Sequence, residues 1–224
     1  MASTQEFSPQ SDDQYTEVGE LYRAQRIGGG SVGWGAKAAL LVVDFQHLYT
    51  RGRASTGLEA VENTVPVLAS ARANKVTVAF AVVGYEADAQ PEDHAWTMKC
   101  PGLLEARRGS EASSVDPLIA PLDGETVHVK TVPSALFDPT VREEFRAKGV
   151  DTIVVVGTST SGCVRSTVVD GVSRGFRMVV PTDCVTDRSA PSSDAALFDI
   201  ETKYGDLTTG ADVCGRFALQ GANT

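Results

Sequence analysis

The sequence predicts an α/β domain: a parallel β-sheet with helices on both faces, in three layers α/β/α. Three observations predict it. Short aliphatic runs alternate along the chain with stretches of helical periodicity. The runs read as strands apolar on both faces, as a sheet covered by helices on both sides requires. A chain of 224 residues, 42% hydrophobic, has the length and apolar content to bury the core of one such domain. In order, residues 38–43 read as the first strand and 58–74, with apolar residues at helical spacing, as the helix that follows. Residues 76–83 read as the second strand. Residues 84–114 form a long loop carrying Pro, Gly and charge, with Trp96 and Met98 inside it. A loop of that length in a compact domain is more often functional than idle. Beyond it, 126–130 reads as a strand, 140–148 as a helix, 152–156 as a strand, 163–174 as a helix, 177–180 as a strand and 193–204 as a helix.

The organisation is one domain over 31–224 behind an N-terminal arm, 1–30. In the arm, residues 14–26 form either a short helix that packs on a neighbouring subunit or a mobile segment. Residues 1–20 are polar and acidic, without the basic start and apolar run of a secretory signal. No stretch is long and apolar enough to cross a membrane. The net charge of −9 offers no basic face for phosphates or an anionic bilayer, which excludes nucleic acid and membrane as partners. Cys100, Cys163, Cys184 and Cys214 have neither zinc-knuckle spacing nor the density of a disulfide scaffold, so a reduced, cytoplasmic protein is expected.

The most informative stretch is Val154-Val155-Val156-Gly157-Thr158-Ser159-Thr160-Ser161-Gly162-Cys163-Val164-Arg165, a buried strand, a turn of small residues and a cysteine where a helix begins. Small residues let backbone amides approach a ligand. A thiol at a helix start feels unpaired N–H groups and the helix dipole, which lower its pKa and make it a nucleophile. Without that turn, Cys163 would be read as one more small buried residue. In open parallel sheets ligands bind at the carboxyl ends of the strands. Asp44 closes the first strand, Lys130 closes the third and Cys163 follows the fourth. Singly, Asp44 could cap a turn and Lys130 could reach solvent. At one shared sheet edge they form a constellation.

Four ordered motifs then carry a resemblance: Leu40-Leu41-Val42-Val43-Asp44-Phe45-Gln46; Val129-Lys130 with Ser134-Ala135-Leu136-Phe137; the Gly157 to Arg165 turn; and Asp183-Cys184-Val185-Thr186-Asp187-Arg188, continued by Leu197-Phe198-Asp199-Ile200 and Lys203-Tyr204-Gly205-Asp206. Over residues 27–214 the chain resembles the isochorismatase-like cysteine hydrolases, in the N-carbamoylsarcosine amidase and maleamate amidohydrolase branch. That resemblance implies a triad in which Cys163 attacks, Asp44 takes and returns the proton, and Lys130 holds the thiolate and carboxylate. It implies an oxyanion hole from the backbone N–H groups of Ser159 and Cys163, after a cis Thr158–Ser159 peptide. By position, Arg188 resembles the arginine that grips the substrate carboxylate in this branch; a plainer role is an ion pair with Asp187 or Asp183. Thr160 and Ser161 are expected to add hydroxyl contacts, and Trp96 to line the pocket from the long loop.

Nicotinamidases share this fold but hold a metal with an Asp and closely spaced His residues after the second strand. Here Glu86, Asp88, Asp93 and His94 lack an Asp-x-His pattern, so neither metal nor cofactor is expected. His47, His94 and His128 are expected to be structural or surface groups. A departure from the branch is Ser193, with Asp194 beside it, where relatives often carry a histidine; it leaves room for a different substrate. The resulting expectation is a metal-independent cysteine amidohydrolase that releases ammonia from a small linear carboxylated amide or N-carbamoyl compound, assembled as a dimer or tetramer. Two other readings stand beside it: a hydrolase of ureido compounds such as biuret or ureidoacrylate, and a non-catalytic binding protein on the same fold.

Overall fold

The computed structural model describes residues 10–222; the first nine residues of the arm and the last two of the chain lie outside the described residues. The elements run α1 (Gln10–Gln25), β1 (Ala38–Val43), α2 (His47–Thr50), α3 (Glu59–Ala73), β2 (Thr77–Val83), α4 (Ala95–Lys99), β3 (Thr126–Lys130), α5 (Pro139–Ala147), β4 (Thr152–Thr158), α6 (Arg165–Ser173), β5 (Arg177–Pro181), β6 (Val185–Thr186), α7 (Ala190–Asp199), β7 (Asp206–Thr208) and α8 (Gly210–Ala222). Among the described residues one seven-stranded sheet is ordered β3-β2-β1-β4-β5-β7, with β6 continuing along the end of β4. Every pairing is parallel.

The aliphatic runs are strands because the sheet has no wet face at its centre. Ala39, Leu41 and Val43 of β1 join Ile153 and Val155 of β4 in one core. Their alternates Ala38, Leu40, Val42, Val154 and Val156 join the core on the other face. α3 and α8 cover that second face through Val61, Val67, Leu68, Val213 and Phe217, while α5 and α6 cover the first through Val141, Phe145 and Val168. α5 starts where Asp138 accepts the Thr140 N–H at 2.8 Å, ahead of Pro139 in the first turn.

Five elements escape the sequence reading: α2, α4, β6, β7 and α8. β6 and β7 have two and three residues, too short for any periodicity. α8 is interrupted by Gly215 and Gly221, which lower helix propensity, and it is held by burying Val213 and Phe217. Two expected helices also begin or end differently. The one expected from Cys163 starts as a wide π turn, Thr160–Val164, before α6, and the one expected over 193–204 is α7 followed by a π turn, Ile200–Tyr204.

Residues 10–25 form α1, the short helix expected over 14–26, and it packs within the chain. Tyr15 stacks on Phe198 of the same chain at 4.9 Å between ring centroids, and Tyr22 meets the same ring edge-on at 6.4 Å. The segment that follows is tied down by carboxylates: Asp206 accepts from the Ser31 hydroxyl and from the N–H groups of Val32 and Gly33. The long loop is likewise ordered. Tyr85 and Ala106 pair through the backbone at 2.9 Å, Arg108 returns to Tyr85 at 2.8 Å, and a third apolar cluster of Leu48, Tyr49, Tyr85, Leu103 and Leu104 roots it.

Candidate active site

β1 ends abruptly at Asp44, whose φ of 54° lies in the left-handed region that non-glycine residues rarely adopt. Its carboxyl group is fully buried. Lys130, the last residue of β3, reaches across the end of β2: its Nζ donates to Asp44 Oδ2 at 2.8 Å, to the Val132 carbonyl at 3.2 Å and to Cys163 Sγ at 3.5 Å. Gly157 allows the third approach. A Cβ there would collide with the Val43 carbonyl, so only glycine lets β4 run this close to β1 and deliver Cys163 beside Asp44. The Thr158–Ser159 peptide is cis.

Gln46, whose side chain carries no signal in the sequence beyond its place after Asp44, holds this edge together. Fully buried, it accepts from the Val83 N–H at 2.7 Å and donates to the carbonyls of Val83 and Ala112 at 3.1 and 3.0 Å. One amide side chain thereby joins the ends of β1 and β2 to the long loop. Close by, Arg51 forks onto buried Asp116 at 2.8 and 3.1 Å. Burial would raise the Asp116 carboxyl, but that fork and the Leu118 N–H outweigh it and hold the group below the usual carboxylate range.

The electrostatics of the triad correct the expectation of a helix-activated thiolate. Burial and then the Asp44 charge push the Cys163 thiol up, against the pull of Lys130. Asp44 is also raised, by burial above all, with Lys130 and then Cys163 opposing. Burial disfavours the Lys130 cation, but the charges of Asp44 and Cys163 prevail and raise it. One ammonium thus faces two acids at a buried site. Ionising both acids would leave a net negative charge out of water, so the pair keeps one proton between them. Asp44 Oδ1 makes no hydrogen bond and is the free acceptor of the pair. Moving the proton from sulfur to carboxylate changes no net charge.

Above these groups lies a cavity of about 460 Å³ lined by Asp44, Cys163, Thr158, Ser159 and Gly162 on the sheet side, and by Leu48, Tyr49, Arg53, Ala54, Trp96, Cys100, Gly102, Leu103 and Arg188 elsewhere. Trp96 lines it as expected, with Lys130 Nζ 5.3 Å from its ring centroid. Arg188 also lines it, paired with neither Asp183 nor Asp187. Its Nη2 donates to the Ala54 carbonyl at 2.7 Å, and its guanidinium carbon lies 5.7 Å from the Tyr49 ring centroid. Thr160 and Ser161 do not line the cavity, which corrects that expectation. Ser161 is spent on Asp187, which takes its N–H at 2.8 Å and its hydroxyl at 2.7 Å, while Thr160 is buried beneath the turn. Ser193 stands on α7 outside the lining.

Tyr49 and Arg53 are the lining residues that sequence reasoning missed. Both sit in or beside a four-residue helix, which is too short to show a period; their proximity to Asp44 along the chain was the available signal. The histidines lie elsewhere: His47 meets Glu111 at 3.4 Å, His128 meets Glu144 at 2.9 Å and His94 leans on Tyr85. Among the described residues no group of three or more His, Cys, Asp or Glu side chains converges as a metal set, and no helix is long and apolar enough to cross a membrane.

A buried cysteine, carboxylate and ammonium thus stand together at the carboxyl edge of a parallel sheet, beneath a cavity. Residues 38–212 match the isochorismatase domain. The chain is 36% identical over 192 residues to the maleamate amidohydrolase of Pseudomonas putida, covering 84% of this chain and 90% of that one. It is 30% identical over 185 residues to an N-carbamoylsarcosine amidase of Arthrobacter sp., covering 79% and 69%. Among solved structures, a cysteine hydrolase from Pseudomonas syringae pv. phaseolicola superposes with a TM-score of 0.80 at 24% identity, over 85% of this chain and 98% of that one. The chain belongs to the isochorismatase domain family, and it is a hydrolase of carbon–nitrogen bonds other than peptide bonds.

Proposed function

We propose that the chain is a metal-independent cysteine amidohydrolase that frees ammonia from a small linear carboxylated amide or N-carbamoyl compound, of the maleamate or N-carbamoylsarcosine kind. The observation that carries this reading is the contact chain from Asp44 through Lys130 to Cys163, 2.8 and 3.5 Å, facing a cavity that also holds an arginine paired with no carboxylate. Cys163 Sγ attacks the amide carbon as its proton passes to Asp44, and Lys130 steadies the sulfur and the carboxylate through the transfer. The negative oxygen of the tetrahedral adduct is received by the backbone N–H groups of Ser159 and Cys163. Asp44 hands the proton to the nitrogen, ammonia leaves and a thioester remains. Water attacks the thioester, giving one proton to Asp44. The acid departs, and that proton returns to sulfur. Arg188 binds the substrate carboxylate, for which a planar guanidinium fork is suited.

Ammonia release from maleamate, N-carbamoylsarcosine, biuret, ureidoacrylate and nicotinamide tests the reading. Turnover of a carboxylated amide should fall roughly 10⁴-fold or more in Cys163→Ala. In Arg188→Ala, KM should rise roughly tenfold or more, in line with the loss of a charged hydrogen-bond pair. If biuret is preferred and Arg188→Ala is harmless, the carboxylate assignment fails while the triad stands.

The same family reading leads us to propose a cytoplasmic homo-oligomer, a dimer or tetramer. Half-exposed Val127 and Val129 on the edge strand β3, with exposed Phe137 after it, support an interface there. A monomer by light scattering at micromolar concentration would overturn that.

A further inference from the structure

Tyr49 is the lining residue whose chemistry the triad and the arginine leave unused. It is 8% exposed. Its backbone is fixed, the carbonyl accepting from the Thr56 N–H at 2.8 Å, and its ring lies under the Arg188 guanidinium at 5.7 Å. Its hydroxyl has no hydrogen-bond partner among the described residues and, unlike Asp44 Oδ1 and Thr160 Oγ1, is not sealed away in the interior. The cavity that the ring borders is where that partner must come from.

Two further observations say what kind of partner. The phenol is pushed up, first by burial and then by the charges of Asp44 and Cys163, with Arg188 opposing; it stays protonated and keeps an O–H to donate to an acceptor. Tyr49 lines the same cavity as Cys163 and lies against Arg188. The second lining guanidinium, Arg53, is engaged by Glu105 at the rim, which leaves Arg188 as the lining arginine paired with no carboxylate.

Resting on the function proposed above, we propose that Tyr49 is a specificity-determining residue: its hydroxyl donates to the substrate carboxylate beside the Arg188 fork, forming a two-residue anion subsite. The ring holds the guanidinium by cation–π contact and the hydroxyl supplies a directional donor that the guanidinium alone does not. Because Tyr49, Arg188 and Cys163 line one cavity of about 460 Å³, this subsite favours small substrates that carry a carboxylate as well as the amide.

The test compares maleamate with cis-crotonamide, in which a methyl group replaces the carboxylate, using native protein, Tyr49→Phe and Arg188→Ala. Phenylalanine keeps the ring under Arg188 and removes only the hydroxyl. The expected result is a KM for maleamate raised roughly tenfold in Tyr49→Phe, as for a hydrogen bond to a charged group. kcat should change less than about twofold, and the KM or inhibition constant for cis-crotonamide should not move. An unchanged maleamate KM in Tyr49→Phe, alongside a raised one in Arg188→Ala, overturns the role of Tyr49 and leaves the carboxylate reading intact. So does an equal weakening for both amides, which marks a packing role. If native protein handles the two amides alike, or cleaves neither maleamate nor N-carbamoylsarcosine, the function reading fails and takes this inference with it.

Discussion

The two ends of the cavity are built on opposite terms. At the sheet end, Asp44, Lys130 and Cys163 are 0%, 5% and 7% exposed, and each is placed by a backbone that has little freedom: a left-handed residue, a strand end reaching over its neighbour, and a close approach that only glycine permits. At the outer end, Arg53 has a side chain 75% exposed, and Arg188 is held by a single carbonyl and the face of a ring. Buried charge is costly unless every partner is in place, so the inner end tolerates no variation. The outer end uses long side chains that can be exchanged without disturbing the sheet. Relatives that match this chain carry different substrate names on one fold, as expected when chemistry and recognition occupy separate parts of one cavity.

The contrast can be broken first at Asp44. Asp44→Asn keeps size and shape but cannot take the thiol proton, so kcat should fall about 10²- to 10⁴-fold, the range for losing a general acid–base group. A residual rate above one tenth of native would mean that the proton goes elsewhere. In the native protein, kcat/KM should fall on acidification along a limb lying above about 4, the ordinary aspartate value, because burial raises Asp44. A limb at or below that value contradicts the shared-proton account.

Thiol labelling sharpens the same point. With one proton held between Asp44 and Cys163, iodoacetamide labelling of Cys163, read by peptide mass mapping, should be nearly flat between about pH 6 and 8. In Asp44→Asn it should climb with pH instead. Parallel profiles for the two proteins would show that the carboxylate does not govern the thiol.

The smallest effect belongs to the frame around the site. Asp116→Ala removes the acceptor for Arg51 and for the Leu118 N–H and should lower stability by about 1–2 kcal/mol, measured by urea unfolding. Asp116 has a depressed folded pKa, so its stabilisation is complete above the unfolded value near 4 and is lost as pH falls through the folded value. The difference between native and variant should therefore shrink below about pH 4. A difference independent of pH would assign the loss to packing.

What the sequence disclosed follows the same division. β1, β2, β4 and β5 could be read because their central residues, covered on both faces, form aliphatic runs, a signal that needs no long-range information, whereas the edge strand β3 shows only a short run with Val127 and Val129 exposed. The triad could be read because strand ends are where the chain leaves the apolar pattern, and Asp44, Lys130 and Cys163 interrupt it there. The sign of the thiol's perturbation could not, since a helix start and a buried carboxylate act oppositely and only the folded geometry says which is nearer. Thr160 and Ser161 were expected at the substrate because they adjoin the nucleophile in sequence, but the π turn directs Ser161 to Asp187. Tyr49 and Arg53 depend on how a four-residue helix and the long loop enclose space, which no periodicity encodes.

Gln46 gives the architecture a modular character. Its amide contacts only the backbone of Val83 and Ala112, so the long loop hangs from a hook that reads carbonyl and N–H groups and is blind to side chains. A loop mounted over this edge must return a carbonyl to that hook and also seat apolar side chains such as Leu103 and Leu104 in the cluster beneath it, so its backbone is fixed at one point while most of its surface is free to differ.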